Sequence, residues 1–407
     1  MKRIFIVLFW LIITIGFALK IYSLFYMGIF DMEVYQEWGL NTLTKGLAGS
    51  YMGVYFPFQY QVFEFGSWLS QVLNIEYYIA YKLVNLAFDI GNLVVLFLIL
   101  RKLSLSPFYL LIYWIHPWFL NMFSLGYIDF QFTFFILLMV LYSFKDTSRD
   151  YLIAGIFLGF AFLMKPQVQI ILLTLFIFAS IRYFRARDIR LFHIFIFPVV
   201  LFLNYTLYFS ITDGNPLRLA NVYINIANHM PCLNANCTNF WFPAAYYIKD
   251  ADAPIYSVSD EITFIGIKVR YFAVLAVLSL IYIFSRKMEK NENIKMPDNP
   301  VLLLTCFSAL VVPFLMTSAH ENHMFLGTVL LIPVMGLTRS LIFKLCTHLL
   351  LIIQFINLYG YYHLGEIQNL NLPAYNYPYS IALIYSYIAV FIFIIMLMHF
   401  LRKFKSQ

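Results

Sequence analysis

Residues 1–33, MKRIFIVLFWLIITIGFALKIYSLFYMGIFDME, decide the fold. Two basic residues precede an apolar run of about 20 residues, long enough as a helix to cross a hydrocarbon core of about 30 Å. No small-residue cleavage site follows, so the run reads as a first membrane span rather than a removable signal. It ends at Asp31-Met32-Glu33. Carboxylates beside apolar surroundings are costly to keep, which marks the pair as a candidate site.

The rest of the 407-residue chain repeats this design. It is 62% hydrophobic and only 12% charged, the composition of an all-α polytopic membrane protein and not of a soluble domain. Windows of about 19 residues predict about twelve transmembrane helices, near 4–26, 78–100, 106–124, 128–144, 151–164, 166–184, 191–211, 263–285, 300–318, 323–338, 343–361 and 380–401. Lys165-Pro166 separates two of them and predicts a tight hairpin or a broken helix. Basic residues gather at Lys2-Arg3, Arg101-Lys102, Lys145 to Arg149, Arg182 to Arg190, Arg286 to Lys295, Arg339 to Lys344 and Arg402 to Lys405. Excess Lys and Arg marks cytoplasmic loops, so both termini are expected inside. The longer loops, about 27–77, 212–262 and 362–379, are then outside, and the chain reads as one domain over 1–407. Short loops and the lack of an endoplasmic-reticulum retrieval signal favour a bacterial plasma membrane; a eukaryotic chain would sit in the endoplasmic reticulum membrane. The net charge of +7 lies in these loops and forms no basic groove with stacking aromatics, so nucleic acid is not an expected partner. Four cysteines are too few for a disulfide scaffold; Cys232 and Cys237 share a loop and are either bonded or free.

Within the first long loop, apolar residues recur at helical spacing over 34–43 and 60–72, predicting amphipathic helices at the interface. Asp31, at the seam with the first span, is either a helix cap or a general base for a hydroxyl. Asp129, in Gly126-Tyr127-Ile128-Asp129, either caps the next span or holds a substrate hydroxyl. Lys165, before Pro166-Gln167, either snorkels or meets an anion such as a lipid-linked phosphate. The second long loop carries Asn239-Phe240-Trp241, with Arg218, Lys268 and Arg270 around it. His320-Glu321-Asn322-His323 places two histidines at i and i+3, not the i and i+4 of a zinc-binding helix. These histidines read as donors to phosphate oxygens, with Glu321 orienting a ring, or as interfacial residues facing water. No metal and no cofactor is expected. His116, before Pro117 inside a span, reads as a packed histidine.

Taken in order, these segments resemble the GT-C integral-membrane glycosyltransferases that use a polyprenyl-phosphate sugar donor. They are most similar to the dolichyl-phosphate-glucose glucosyltransferases and to the GPI-anchor second mannosyltransferase with its bacterial relatives. Asp31 to Trp38, DMEVYQEW, resembles the family's first-loop D-x-E motif followed by an aromatic. Tyr55 to Tyr60, YFPFQY, resembles YPPL-x-x-Y, and Gly126 to Asp129 is similar to GQxD, with Tyr127 where Gln is usual. Lys165-Pro166-Gln167 resembles K-x-Q, and Asn239-Phe240-Trp241 resembles N-x-W. His320-Glu321-Asn322 looks like HEK or HER, with Asn322 in place of the basic residue. The resemblance implies inverting, metal-free transfer of a hexose from an undecaprenyl- or dolichyl-phosphate donor to a hydroxyl of a glycan, lipid or protein acceptor. Asp31 would be the base. Glu33, Tyr35, Trp38, Asp129, Asn239 and Trp241 would bind or support the acceptor. Lys165, Gln167, Arg218, Arg270, His320, Glu321 and His323 would bind the donor phosphate. A transporter or flippase of a lipid-linked saccharide is the main alternative. It would require ionisable groups and broken helices at mid-membrane, whereas the span centres here read as mostly apolar.

Overall fold

The computed structural model describes residues 2–222, 224–225, 230–290, 299–365 and 378–403. Most of the expected third loop, and the basic residues Lys295 and Lys405, lie outside the described residues. The described chain is helical apart from turns and one two-stranded hairpin, β1 (Thr263–Phe264) with β2 (Ile267–Lys268). Sixteen helices follow in chain order: α1 (Lys2–Ser23), α2 (Asp31–Ser50), α3 (Pro57–Leu73), α4 (Tyr77–Lys102), α5 (Leu110–Ile115), α6 (Pro117–Leu125), α7 (Asp129–Tyr142), α8 (Ser148–Phe162), α9 (Val168–Ala186), α10 (Ile196–Asp213), α11 (Trp241–Ile248), α12 (Val269–Lys290), α13 (Pro300–Leu315), α14 (Phe325–Leu337), α15 (Leu341–Tyr362) and α16 (Tyr379–Lys403).

Seven of the described helices are long and apolar enough to cross a membrane: α1, α4, α9, α10 with the 3-10 turn before it, α12, α15 and α16. The other expected spans are helical but shorter. The 106–124 window is broken at His116-Pro117 into α5 and α6; proline cannot donate to the preceding turn, and His116 Nδ1 instead accepts from the Trp118 N–H at 3.2 Å, capping α6. Helices α7, α8, α13 and α14 run 14, 15, 16 and 13 residues, which gives about 20–24 Å at 1.5 Å per residue. The most central of them, α13 and α14, are buried along nearly their whole length. A helix surrounded by other helices need not reach both lipid surfaces, because its ends are covered by protein.

Helix α1 exposes Ile4, Phe5, Val7 and Trp10 on its outer side, and α10 and α16 are similarly exposed and apolar. Helices α2 and α3 pack antiparallel beside the bundle. Gly39 makes this possible: a Cβ there would lie 2.4 Å from the Phe63 carbonyl oxygen and from Ser67 Oγ.

The interior is more polar than the sequence suggests. Lys20 of α1 and Asp89 of α4 are fully buried and form an ion pair, with the Tyr113 hydroxyl donating to the same carboxylate. The Lys20 Nζ also sits 4.5 Å from the Trp114 ring centroid. Lys82, likewise buried, donates to the carbonyls of Ser23 and Tyr26 at the end of α1. Gln131 links Gln59, Tyr81 and Asn85 through bonds of 2.6–2.9 Å, and Asn85 donates to the Tyr127 carbonyl at 3.1 Å. One span centre, Asp89 midway along α4, departs from the expectation of mostly apolar centres, and its partner Lys20 lies on α1, far away in sequence.

Candidate active site

Five helices, α1, α6, α8, α13 and α15, end where α7, α9 and α14 begin, and the turns between them surround one cavity of about 330 Å³. Its walls come from Ile29 to Asp31, Val54-Tyr55, Tyr127, Lys165 to Gln167, Met230, Ser318, His320 to His323, and Tyr362. Five of the six motifs singled out in the sequence therefore meet in one space, at a size ordinary for a ligand pocket.

The turn before Asp31 is set by backbone. Gly28 sits at φ +102°, where a Cβ would lie 2.7 Å from the Leu125 carbonyl oxygen, and Ile29 N–H donates to that same oxygen at 3.1 Å. Only glycine takes this conformation cheaply. Gly365 packs onto Gly28, its Cβ position only 3.0 Å from the Gly28 Cα, while Asn121 Nδ2 and Ser124 Oγ donate to the carbonyls of His363 and Leu364. Asp31 then opens α2, and the Tyr35 hydroxyl one turn later donates to its Oδ2 at 3.3 Å. Burial pushes the Asp31 carboxyl above the ordinary carboxylate range, and the nearby Glu321 carboxylate adds to the rise; His320, Tyr35 and Lys165 pull it back. Asp31 makes no side-chain cap, so the capping reading loses its support. Tyr35 and Tyr55 are raised by burial too, and so keep their hydroxyl protons.

Lys165 is 4% exposed. Its partner is not open space but Asp129, at 2.8 Å, and Asn322 Nδ2 donates to the other oxygen of Asp129 at 3.1 Å. Asp129 is thus neither a cap nor part of the cavity wall: it lies behind Lys165 and neutralises it. Glu321 accepts from the Tyr127 hydroxyl at 2.6 Å. Tyr127 therefore orients this carboxylate, whereas the sequence led to the expectation that Glu321 would orient a histidine ring. His323 Nδ1 accepts from the His320 N–H at 3.2 Å, and the two rings lie 5.1 Å apart. Among the described residues, no group of three His, Cys, Asp or Glu side chains could hold a metal ion.

The remaining expected site residues lie elsewhere. Glu33 is exposed on α2 and is not among the residues that line the cavity. Trp38 stacks on Tyr60 at 5.4 Å within an aromatic cluster behind Tyr55. Arg218 pairs with Asp213 and donates to the Tyr51 carbonyl, and Arg270 pairs with Asp260 and Glu261 at 2.8 Å. Both arginines are occupied by acids only five to ten residues away in sequence. Asn239 and Trp241 serve the backbone. Asn239 Nδ2 donates to the Pro313 carbonyl at 2.9 Å, its Oδ1 accepts from the Trp241 N–H, and Trp241 Nε1 donates to the Leu315 carbonyl at 2.6 Å. These satisfy carbonyls left open at the end of α13. The same loop pairs Ala235 and Asn236 with His320. Cys232 and Cys237 beside it are both free. Residues 235–241 thus grip the histidine turn rather than lining the cavity, to which this loop contributes only Met230 among the described residues.

Sequence reading gave no role to Tyr55, Ser318, Asn322 or Tyr362, which line the cavity. Tyr55 and Asn322 stood inside quoted motifs; Ser318 and Tyr362 carried no signal at all. Comparison with family models, with curated proteins and with solved structures gives no match.

Proposed function

We propose that this protein is a membrane glycosyltransferase that moves a hexose from a polyprenyl-phosphate donor to an acceptor hydroxyl. The observation carrying the reading is the half-buried Asp31 carboxylate facing one cavity together with His320, His323, Lys165 and Gln167. In the proposed step Asp31 takes the proton of the acceptor hydroxyl, whose oxygen forms a new bond to the anomeric carbon. The bond from that carbon to phosphate oxygen breaks, and the lipid monophosphate leaves with the electron pair. The histidines and the Gln167 amide supply donors to that phosphate.

The charge balance sets a condition on this reading. Asp31, Glu321 and Asp129 oppose Lys165 alone, and burial holds His323 well below the ordinary imidazole range, so phosphate binding depends on a further positive charge or a protonated carboxyl. The test is release of lipid phosphate by purified protein given polyprenyl-phosphate hexose and an acceptor glycolipid. Asp31→Asn should abolish release; full activity in that variant would remove the assigned base. The buried Lys20–Asp89 pair and Lys82 favour a second reading, a transporter of lipid-linked saccharide. Substrate crossing a proteoliposome membrane without release of lipid phosphate would select it.

A further inference from the structure

At the opposite end of the bundle lies a second cavity, of about 510 Å³. Arg101 and Lys102 enter it from the last turn of α4, Lys145 from the turn after α7, and Asp150 from the first turn of α8. Two other cations at this end, Arg182 and Arg190, both pair with Asp146 and Asp188. Arg101, Lys102 and Lys145 make no ion pair or side-chain hydrogen bond among the described residues. The one carboxylate of the cavity, Asp150, accepts the Thr147 hydroxyl, and Thr147 in turn caps α8. Three exposed cations thus face one engaged carboxylate, which is an anion site by charge.

The walls identify which anion. Leu98, Leu141 and Tyr142 complete the cavity, and Leu98 and Tyr142 are 37% and 39% exposed. Along α4, Ile90, Val94 and Leu98 are exposed at spacings of four residues, one apolar stripe about 12 Å long that leads to Arg101. A soluble phosphate has no use for such a stripe, whereas a lipid presents its phosphate and its acyl chain in this order. We propose that this cleft binds the phosphodiester headgroup of an anionic phospholipid, with one acyl chain laid along Ile90, Val94 and Leu98. Cationic clefts at helix ends attract anionic headgroups by the same electrostatics as polybasic segments. The site is separate from the candidate active site and does not depend on the activity proposed for it.

The test uses the full-length protein in neutral detergent with phosphatidylglycerol, phosphatidylcholine or inorganic phosphate as probe. Lipid retention is read by native mass spectrometry and stabilisation by the melting temperature. Phosphatidylglycerol should be retained and should raise the melting temperature, while phosphatidylcholine and inorganic phosphate should not. The R101Q/K102Q/K145Q variant should bind phosphatidylglycerol about tenfold more weakly or worse. The R185Q/R286Q/R402Q variant, which loses equal charge at the same end, should bind as the wild type does. K145Q alone, on an exposed turn, should weaken binding about threefold or more and serves if the triple variant does not fold. Unchanged binding in the cleft variants, equal loss in the control variant, equal retention of phosphatidylcholine, or equal stabilisation by inorganic phosphate would each overturn the proposal.

Discussion

At the residue scale, Asp31 is held in a state that costs stability. Its folded pKa is raised, so its contribution to stability is greatest at acidic pH. That contribution is lost as pH rises from the unfolded towards the folded value. Ionised Asp31 is therefore a net strain on the fold at neutral pH. Asp31→Asn is expected to lower turnover by at least about 100-fold while leaving the melting temperature unchanged or higher. A clear fall in melting temperature together with activity would return Asp31 to a structural role. For the same reason kcat/KM should drop on the acid side at a higher pH than an ordinary carboxylate gives, since the base must be ionised. Asp129 differs in having a buried counter-charge, the Lys165 ammonium. Asp129→Asn leaves the Lys165 ammonium buried without its counter-charge, and should cost about 3 kcal/mol or more in chemical unfolding. If stability is unaffected, the Lys165–Asp129 pair does not form as described.

At the element scale, the segment from Leu233 to Trp241 acts as a clamp on the turn between α13 and α14. Asn239→Ala removes bonds to the Pro313 carbonyl and to two backbone N–H groups. It should loosen the histidine turn, raising KM for the donor while leaving the acid limb set by Asp31 in place. A shift of that limb instead would mean that the loop acts through Asp31. This division was only half legible beforehand. Helices were readable because apolar runs of fixed length have one solution in a membrane, and the turns carrying Asp31, Lys165 and His320 were readable because polar residues interrupt those runs. What could not be read is whether a polar residue lines a cavity or braces it. Asn239, Trp241, Arg218 and Arg270 have site-like chemistry, but neighbouring acids or open carbonyls claim them first. Tyr362 lines the cavity merely because α15 happens to end there.

At the scale of the whole molecule, the Lys20–Asp89 pair separates the two functional readings. A buried ion pair is often replaceable by apolar residues of similar volume with no loss of stability, whereas breaking it from one side costs about 3–5 kcal/mol. K20M/D89L should therefore melt at or above the wild-type temperature, and K20M alone well below it. Retained lipid-phosphate release in the double variant would assign the pair to architecture; loss of activity in a stably folded double variant would implicate it in moving a proton or a substrate. The contact of Gly28 with Gly365, reinforced by Asn121 and Ser124 on the carbonyls of residues 363 and 364, bears on time rather than space. Asp31 leaves the ribosome roughly 330 residues ahead of the segment that fixes its turn. At about 5–20 residues per second, the early spans wait many seconds in the membrane with an unfinished pocket. Nascent chains halted near residue 340 should integrate and resist extraction yet fail to retain donor lipid, and extending them past residue 365 should restore retention in a single step.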